Sequence, residues 1–387
     1  MKLIRLFSAV LLFCLSLSFT AIAAPKSYKI GAVFAVTGRA SFLGDPEKKT
    51  AEMLVEKINK AGGINGVPIE LIVHDTEADA TKTMLAVKKL MTREGVIAVI
   101  GPSTSGTTMA IVPLAEKHKV PLVSCAASYK IVTKDAKTGE QYKWVFKTPQ
   151  SDSMAVEAIF SHMNKKGISK IAILSVNSGF GASGRGELLR LASQYGINIV
   201  ADEKYGPKDT NMSAQLTKIK SKNPQAIVNW SIGPTQVTVV RNWKGLGMSK
   251  IKLYQSHGFG SKKNIELAAG DAEGVYLPLG SVNIGDILPA NHPQKAVTTG
   301  YMKEYKAKYN ESVSSFGGHA WDALNLVVNA IKKAGADKAK IRQELEKTTG
   351  FVGQHGIFNF SAKDHNGLSK AAFNMLIVKG GNWAFAD

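Results

Sequence analysis

The chain has 387 residues, of which 44% are hydrophobic and 20% charged, a balance that excludes a disordered protein. The formal net charge is +19 at pH 7. Lysines are spread along the whole chain and are not clustered with aromatic residues, so we interpret the charge as a solvated basic surface and predict no nucleic-acid partner. The length exceeds the size at which one hydrophobic core usually stops growing, which predicts two domains.

The N-terminus has the pattern of a secretory signal peptide. Lys2 and Arg5 are basic, residues 6–19 form an apolar run, and residues 21–23 read Ala-Ile-Ala, a cleavage pattern. The apolar run is too short to span a bilayer comfortably. We therefore predict that residues 1–23 are removed after Ala23 and that the mature protein is exported and not membrane-embedded.

The first half of the chain alternates short apolar runs with amphipathic helices. Predicted strands cover 28–36, 69–73, 96–100 and 121–123. Asp45 is predicted to cap the first helix, with Pro46 at its first position, where a missing N–H costs nothing. Further helices follow at about 80–91 and from about residue 106. This βαβα order predicts a doubly wound parallel sheet.

The same order restarts near Trp144. Strands are predicted at 171–176, 197–201, 226–230, 251–255 and 274–277, with helices between them. A helix with an apolar stripe at residues 320, 324, 327 and 331 follows, and 351–385 is predicted to form short strands. The predicted fold is α/β, with two doubly wound parallel-sheet lobes and a ligand cleft between them. Ligands of such sheets bind beyond the carboxyl ends of the strands.

The loop 101–108 (GPSTSGTT) follows a buried strand and opens a helix. Free N–H groups at a helix start favour an anion, and the hydroxyls add donors. The lysine of a nucleotide-binding P-loop is absent, since Thr107 stands in its place. A carboxylate site is the favoured interpretation, and simple helix capping is the alternative.

The segment 179–184 (GFGASG) fits G-x-G-x-x-G between a strand and a helix, and Asp202 lies about 20 residues further on. This pattern leaves an NAD-dependent oxidoreductase open as an alternative. The competing interpretation is a turn that presents Phe180 to the cleft. Neither the eight histidines nor the lone mature cysteine, Cys125, has the spacing of a metal site or disulfide. We expect no catalytic residue, metal or cofactor.

Several motifs occur in an order and spacing that resemble one family. They are 30–38 (IGAVFAVTG), 62–66 (GGING), 74–75 (HD), 99–106 (VIGPSTSG), 121–124 (PLVS), 180–181 (FG) and 271–275 (DAEGV). The chain resembles the leucine/isoleucine/valine-binding proteins, the type I periplasmic binding proteins of branched-chain amino-acid ABC importers. This resemblance implies an N-terminal lobe of residues 26–147 and 279–368. The C-terminal lobe would comprise 148–278 and 369–387.

The resemblance also implies ligand-binding residues. Ser105, Ala127 and Ser128 match the segments that hold the ligand carboxylate. Phe42 and Phe180 match an aromatic wall, and Ile232 matches a contact from the second lobe. His257 departs from the family, because the matching position is commonly an acid that pairs with the ligand ammonium. A neutral histidine does not supply that charge, which puts an α-amino acid ligand in doubt.

The predicted function is that of the exported solute-binding component of an ABC importer. It would capture a small carboxylate-bearing ligand by hinge closure, as a monomer that works with an inner-membrane permease. The ligand would be a branched-chain or related amino acid, or an aromatic or aliphatic carboxylate or amide. A ligand-sensing periplasmic module for a membrane receptor is the second interpretation, and the oxidoreductase is the third.

Overall fold

The computed structural model describes residues 26–386, so the predicted signal peptide and its cleavage after Ala23 lie outside the described residues. The strands, in chain order, are β1 (Tyr28–Phe34), β2 (Ile69–Asp75), β3 (Ala98–Ile100), β4 (Leu122–Ser124), β5 (Thr133–Asp135), β6 (Glu140–Gln141), β7 (Val145–Lys147), β8 (Lys170–Val176), β9 (Asn198–Tyr205), β10 (Ala226–Trp230), β11 (Lys252–Gln255), β12 (Tyr276–Leu279), β13 (Phe351–Val352), β14 (Ile357–Phe358), β15 (Asn374–Lys379) and β16 (Asn382–Phe385).

The α-helices surround these strands. In chain order they are α1 (Ser41–Lys60), α2 (Ala80–Lys89), α3 (Ser105–His118), α4 (Asp152–Lys165), α5 (Gly179–Leu191), α6 (Ser213–Ser221), α7 (Thr235–Gly245), α8 (Lys262–Ala268), α9 (Lys295–Tyr309), α10 (Ser315–Ala334) and α11 (Lys338–Glu346). None of the helices within 26–386 is long and apolar enough to cross a membrane.

Two separate sheets form the cores of two lobes. The first has the order β2-β1-β3-β4-β7, and all its pairs are parallel. The second has the order β16-β15-β12-β11-β10-β8-β9. In the second sheet β8 to β12 are parallel, whereas β15 pairs antiparallel with both β12 and β16. The α/β fold class with two parallel-sheet lobes is thus confirmed, with an antiparallel edge added by the C-terminus.

The chain passes from the first sheet to the second between β7 and β8, and β15 and β16 join the second sheet at the C-terminus. Between β12 and β15 the chain contributes α10 to the first lobe, where it packs on α1. The predicted apolar stripe of α10 is confirmed: Ala320, Leu324, Val327 and Ile331 are all fully buried.

The predicted start of α1 is wrong. The helix begins at Ser41, directly after a 3-10 turn at Gly38–Ala40, so Asp45 and Pro46 lie inside it. The reason is close packing: a Cβ atom at Gly44 would be 2.2 Å from the carbonyl carbon of Ala35. This contact places the first turn of α1 on the end of β1.

The strand predicted at 274–277 begins two residues later, at Tyr276. Gly274 has φ +81°, a left-handed conformation that does not continue a strand and that favours glycine. The turn therefore precedes β12, which ends at Leu279 beside the cleft.

Candidate functional site

A cavity of about 50 Å³ lies between the two lobes. It is lined by residues 103–105, 125–127, 149–150, 257–258, 279–280 and 315–316, together with Leu43, Phe180, Ile232, His319 and Phe373. Segments that follow β3, β4, β8, β10 and β11 all contribute to its walls. The cavity therefore lies where parallel sheets usually bind ligands, beyond the carboxyl ends of their strands.

The first lobe presents the start of α3 to this cavity. Thr104 is the N-cap, and its hydroxyl accepts a hydrogen bond of 3.3 Å from the Thr107 N–H. Ser105 is the first residue of the helix and is 3% exposed. The first N–H groups of a helix have no intrahelical acceptor and lie at the positive end of the helix dipole. This wall can therefore bind an anionic oxygen.

The second lobe presents an aromatic wall. The His257 ring centroid lies 5.3 Å from that of Phe180, 5.7 Å from that of Trp230 and 5.4 Å from that of Phe373. His257 is 8% exposed, and neither of its ring nitrogens has a hydrogen-bond partner among residues 26–386. Burial, assisted by the charge of Lys147, lowers the pKa of His257 to about 3. The imidazole is therefore neutral, with one ring nitrogen as a donor and the other as an acceptor.

A second buried histidine, His319 of α10, also lines the cavity. Its ring stacks on that of His355 with centroids 3.7 Å apart, and His355 Nδ1 lies 2.9 Å from Asp322 Oδ2. His319 Nδ1 has no partner among the described residues. Burial lowers the pKa of His319 well below its usual value, so this ring is neutral as well. The sequence analysis did not single out His319, because this residue lies within a helix and not in a loop that follows a strand.

Lys147 binds the backbone of the cavity wall on the side away from the cavity. Its side chain is fully buried at the end of β7, and its Nζ donates to the carbonyl oxygens of Ala127 at 3.1 Å and Pro149 at 2.6 Å. Ala127 and Pro149 both line the cavity. Burial lowers the pKa of Lys147 and raises that of the buried Asp152. Lys147 thus fixes the backbone of the wall and does not face the cavity itself.

The structure brings most of the predicted site residues together. Five of them line the cavity: Ser105, Ala127, Phe180, Ile232 and His257. Phe42 lines a neighbouring cavity of about 330 Å³, which shares Ser105, Phe180 and Ile232 with the first. Ser128 lines neither; its Oγ lies 2.7 Å from Ser183 Oγ, and its N–H donates to Ser105 Oγ at 3.3 Å. Ser128 therefore contacts a cavity residue without reaching the cavity.

The glycines of 179–184 belong to α5 and serve packing. Ser178 caps this helix by accepting a hydrogen bond from Gly181 N–H at 3.1 Å. A Cβ atom at Gly181 would be 1.8 Å from the Val176 carbonyl oxygen. Asp202, the acid expected of a dinucleotide site, accepts hydrogen bonds of 2.8 and 2.9 Å from Arg185 Nε. Packing and an ion pair therefore account for the whole motif.

No fixed charge lines the 50 Å³ cavity: among its lining residues none is Asp, Glu, Lys or Arg. Glu47 lies behind Ser103, whose hydroxyl hydrogen-bonds its carboxylate, and burial raises the pKa of Glu47 well above its usual value. No group of three or more histidine, cysteine, aspartate or glutamate side chains within 26–386 could hold a metal ion.

Two α/β lobes that enclose a small cavity between their strand ends define a ligand-binding clamp. The chain belongs to the periplasmic binding protein family, whose model matches residues 27–382. Its fold is that of type I periplasmic binding proteins. The resemblance to the leucine/isoleucine/valine-binding proteins is confirmed by curated relatives and solved structures.

Three of these similar proteins illustrate the relationship. An extracellular ligand-binding receptor from Rhodopseudomonas palustris HaA2 is 26% identical, with a TM-score of 0.86 over 94% of this chain and 100% of that one. The branched-chain amino acid transporter substrate binding protein LivJ from Streptococcus pneumoniae, solved with isoleucine, is 30% identical, with a TM-score of 0.81 over 94% and 99%. A leucine-, isoleucine-, valine-, threonine- and alanine-binding protein from Pseudomonas aeruginosa is 25% identical over 84% of each chain.

Proposed function

We propose that this protein is the exported solute-binding component of an ABC importer and that it captures a small carboxylate-bearing ligand. The observation that carries the proposal is the division of one cavity between two lobes. Ser105 and the start of α3 offer hydroxyl and N–H donors from one side, and Phe180 and His257 close the other. A carboxylate at Ser105 would receive charge-assisted hydrogen bonds and the favourable field of the helix dipole.

Capture would occur by hinge closure. The two helix starts meet across the cleft, since a Cβ atom at Gly179 of α5 would be 3.3 Å from the backbone nitrogen of Gly106 of α3. Closure therefore brings two positive helix ends together, and an anion beside them offsets their repulsion. The ligand would shift the equilibrium toward the closed form by the difference in its affinity for the two states.

The similar proteins support the ligand's chemistry. LivJ was solved with isoleucine, and the Pseudomonas aeruginosa relative is named for five amino acids, all of which carry a carboxylate. We further propose that the protein is a monomer in the periplasm and that its partner is an inner-membrane permease. A receptor-linked sensor would use the same clamp with a different membrane partner.

The ligand part of the proposal is tested by isothermal titration and thermal shift on the chain from Ala24 onward. The probes are leucine, isoleucine and their amine-free analogues, with benzoate and 3-phenylpropanoate. At 100 times its dissociation constant a ligand adds about 2.7 kcal/mol of stability. Ser105→Ala should weaken binding by about tenfold, as expected for a lost hydrogen bond to a charged group. Ser221→Ala, which removes an exposed hydroxyl in the second lobe, is the matched control.

The transport part needs a second measurement. Ligand-loaded protein should stimulate ATP hydrolysis by its reconstituted permease. Stimulation of a membrane receptor instead would identify the sensor. If none of the carboxylates binds, the proposed ligand chemistry is wrong.

A further inference from the structure

The walls of the 50 Å³ cavity contain no carboxylate, as described above. Two buried acids near it have hydrogen-bond partners within the protein. Glu47 hydrogen-bonds Ser103, and Asp322 accepts hydrogen bonds from the backbone N–H groups of Gln354 at 2.6 Å and His355 at 3.1 Å. An ammonium group enclosed in this cavity would therefore lose its water without gaining an anionic partner. A buried, unpaired charge costs several kcal/mol.

A buried lysine behind the cavity wall also disfavours an enclosed cation. Lys147 Nζ sits directly behind the carbonyl oxygens of Ala127 and Pro149. Both carbonyls already accept from this lysine, so they are poor acceptors for a second cation. The helix start at Ser105 favours a net negative ligand over a zwitterion.

Two neutral histidine side chains in the cavity wall have ring nitrogens without a hydrogen-bond partner among the described residues. His257, with both ring nitrogens, and His319, with Nδ1, have no hydrogen-bond partner among the residues described, and they are 8% and 5% exposed. Buried polar atoms usually have hydrogen-bond partners, so these nitrogens are available to bond with a ligand. A neutral imidazole has one N–H and one lone pair, which suit a hydroxyl or a carbonyl group.

From these contacts we infer that the ligand is an amine-free carboxylate with an uncharged hydrogen-bonding group, such as a hydroxy or oxo acid. His257 is the residue that selects it. This inference rests on the proposed function, because it assigns a ligand class to the same cavity. It differs from the named ligands of the similar proteins, which are amino acids.

Two matched ligand series test this inference on the unmodified protein. Each series keeps one carbon skeleton and changes only one substituent. The first comprises leucine, its 2-hydroxy and 2-oxo acids and 4-methylpentanoate; the second comprises phenylalanine, phenyllactate, phenylpyruvate and 3-phenylpropanoate. In the skeleton that binds, titration calorimetry should show the hydroxy or oxo acid binding about tenfold or more tighter than the amino acid.

The outcomes separate the two proposals. If the amino acid binds tighter than its hydroxy and oxo analogues, the clamp function stands and the inference about ligand class is overturned. If no member of either series binds, the proposed carboxylate-binding function fails, and the inference fails with it. Because these titrations need no substitution, the result does not depend on how a variant folds.

The role of His257 is tested by His257→Glu and His257→Gln. The glutamate offers an ammonium partner and should shift the ratio of affinities toward the amino acid by about tenfold, whereas the neutral glutamine should leave the preference for the amine-free acid in place. His118→Glu, which makes the same exchange at the end of α3, is the control. An unchanged ratio in a folded His257→Glu protein would show that His257 does not select the ligand.

Discussion

Gly184 of α5 lies directly against the indole of Trp230: a Cβ atom at residue 184 would be 1.9 Å from Trp230 Cε2. Trp230 in turn neighbours Phe180, at 5.8 Å between ring centroids, and His257, at 5.7 Å. The glycine therefore sets the distance between α5 and the aromatic wall of the cavity. The same residue completed the dinucleotide-like pattern in the sequence.

Gly184→Ala should therefore destabilise the protein, because the methyl group forces α5 away from Trp230. We expect the free energy of unfolding to fall by about 1–3 kcal/mol, the usual cost of overpacking. Gly186→Ala is the matched control in the same helix, since a Cβ atom there meets nothing within 4 Å. That change should raise stability by roughly 0.5–1 kcal/mol through helix propensity. Equal effects of the two changes in urea denaturation would contradict the packing role.

Gly179→Val should impair closure of the lobes. Its side chain would press on Gly106 of the first lobe, where a Cβ atom of residue 179 already comes within 3.3 Å. If the closed state falls to about a tenth of its population, the apparent affinity falls about tenfold. Titration calorimetry would measure this loss, and small-angle scattering should show a larger radius of gyration with ligand. Unchanged affinity and compaction would contradict the proposed contact between the helix starts.

Lys147→Met should destabilise the fold strongly. The substitution leaves the Ala127 and Pro149 carbonyls without their donor and removes the positive charge that favours ionised Asp152. Breaking such a buried arrangement on one side costs about 3–5 kcal/mol. Lys134→Met, which removes an exposed partner of Glu140, should cost less than about 1 kcal/mol. Adding Asp152→Asn to Lys147→Met should restore part of the loss, and simple additivity of the two would argue against their coupling.

The pH dependence of stability should reveal the buried His257. Its pKa falls from 6.5 to about 3 on folding, so the unfolded chain binds a proton between these values while the folded protein does not. This group therefore does not change the free energy of unfolding well above pH 6.5, and it lowers the free energy of unfolding as the pH falls below that value. At about pH 5 the loss amounts to roughly 1–2 kcal/mol for this one group.

Because the buried acids Glu47 and Asp152 have raised pKa values, they change stability in the opposite direction over part of this range. The measurement is therefore a difference between proteins. His257→Gln should lose less stability than the unmodified protein between about pH 7 and pH 5. Parallel curves for the two proteins would contradict a neutral His257 in the fold.

Much of the architecture followed from local patterns in the sequence. The alternation of apolar runs and amphipathic helices predicted both parallel sheets, because strand and helix periods depend on nearby residues. The loops after strands then indicated Ser105 and Phe180, and the family resemblance added Ala127 and His257; all four line the cavity. Their role in ligand binding stays a prediction.

Contacts between distant segments decided the rest. The start of α1 depends on the packing of Gly44 against Ala35, and the glycines of α5 depend on Trp230 and Val176. The burial of Lys147 and the stack of His319 on His355 leave no local trace, since each joins elements far apart in the chain. The sequence by itself determined which strand ends form the cleft. Only the tertiary structure decided that no charged side chain lines the cavity, because the placement of the neighbouring charged side chains depends on contacts between distant segments.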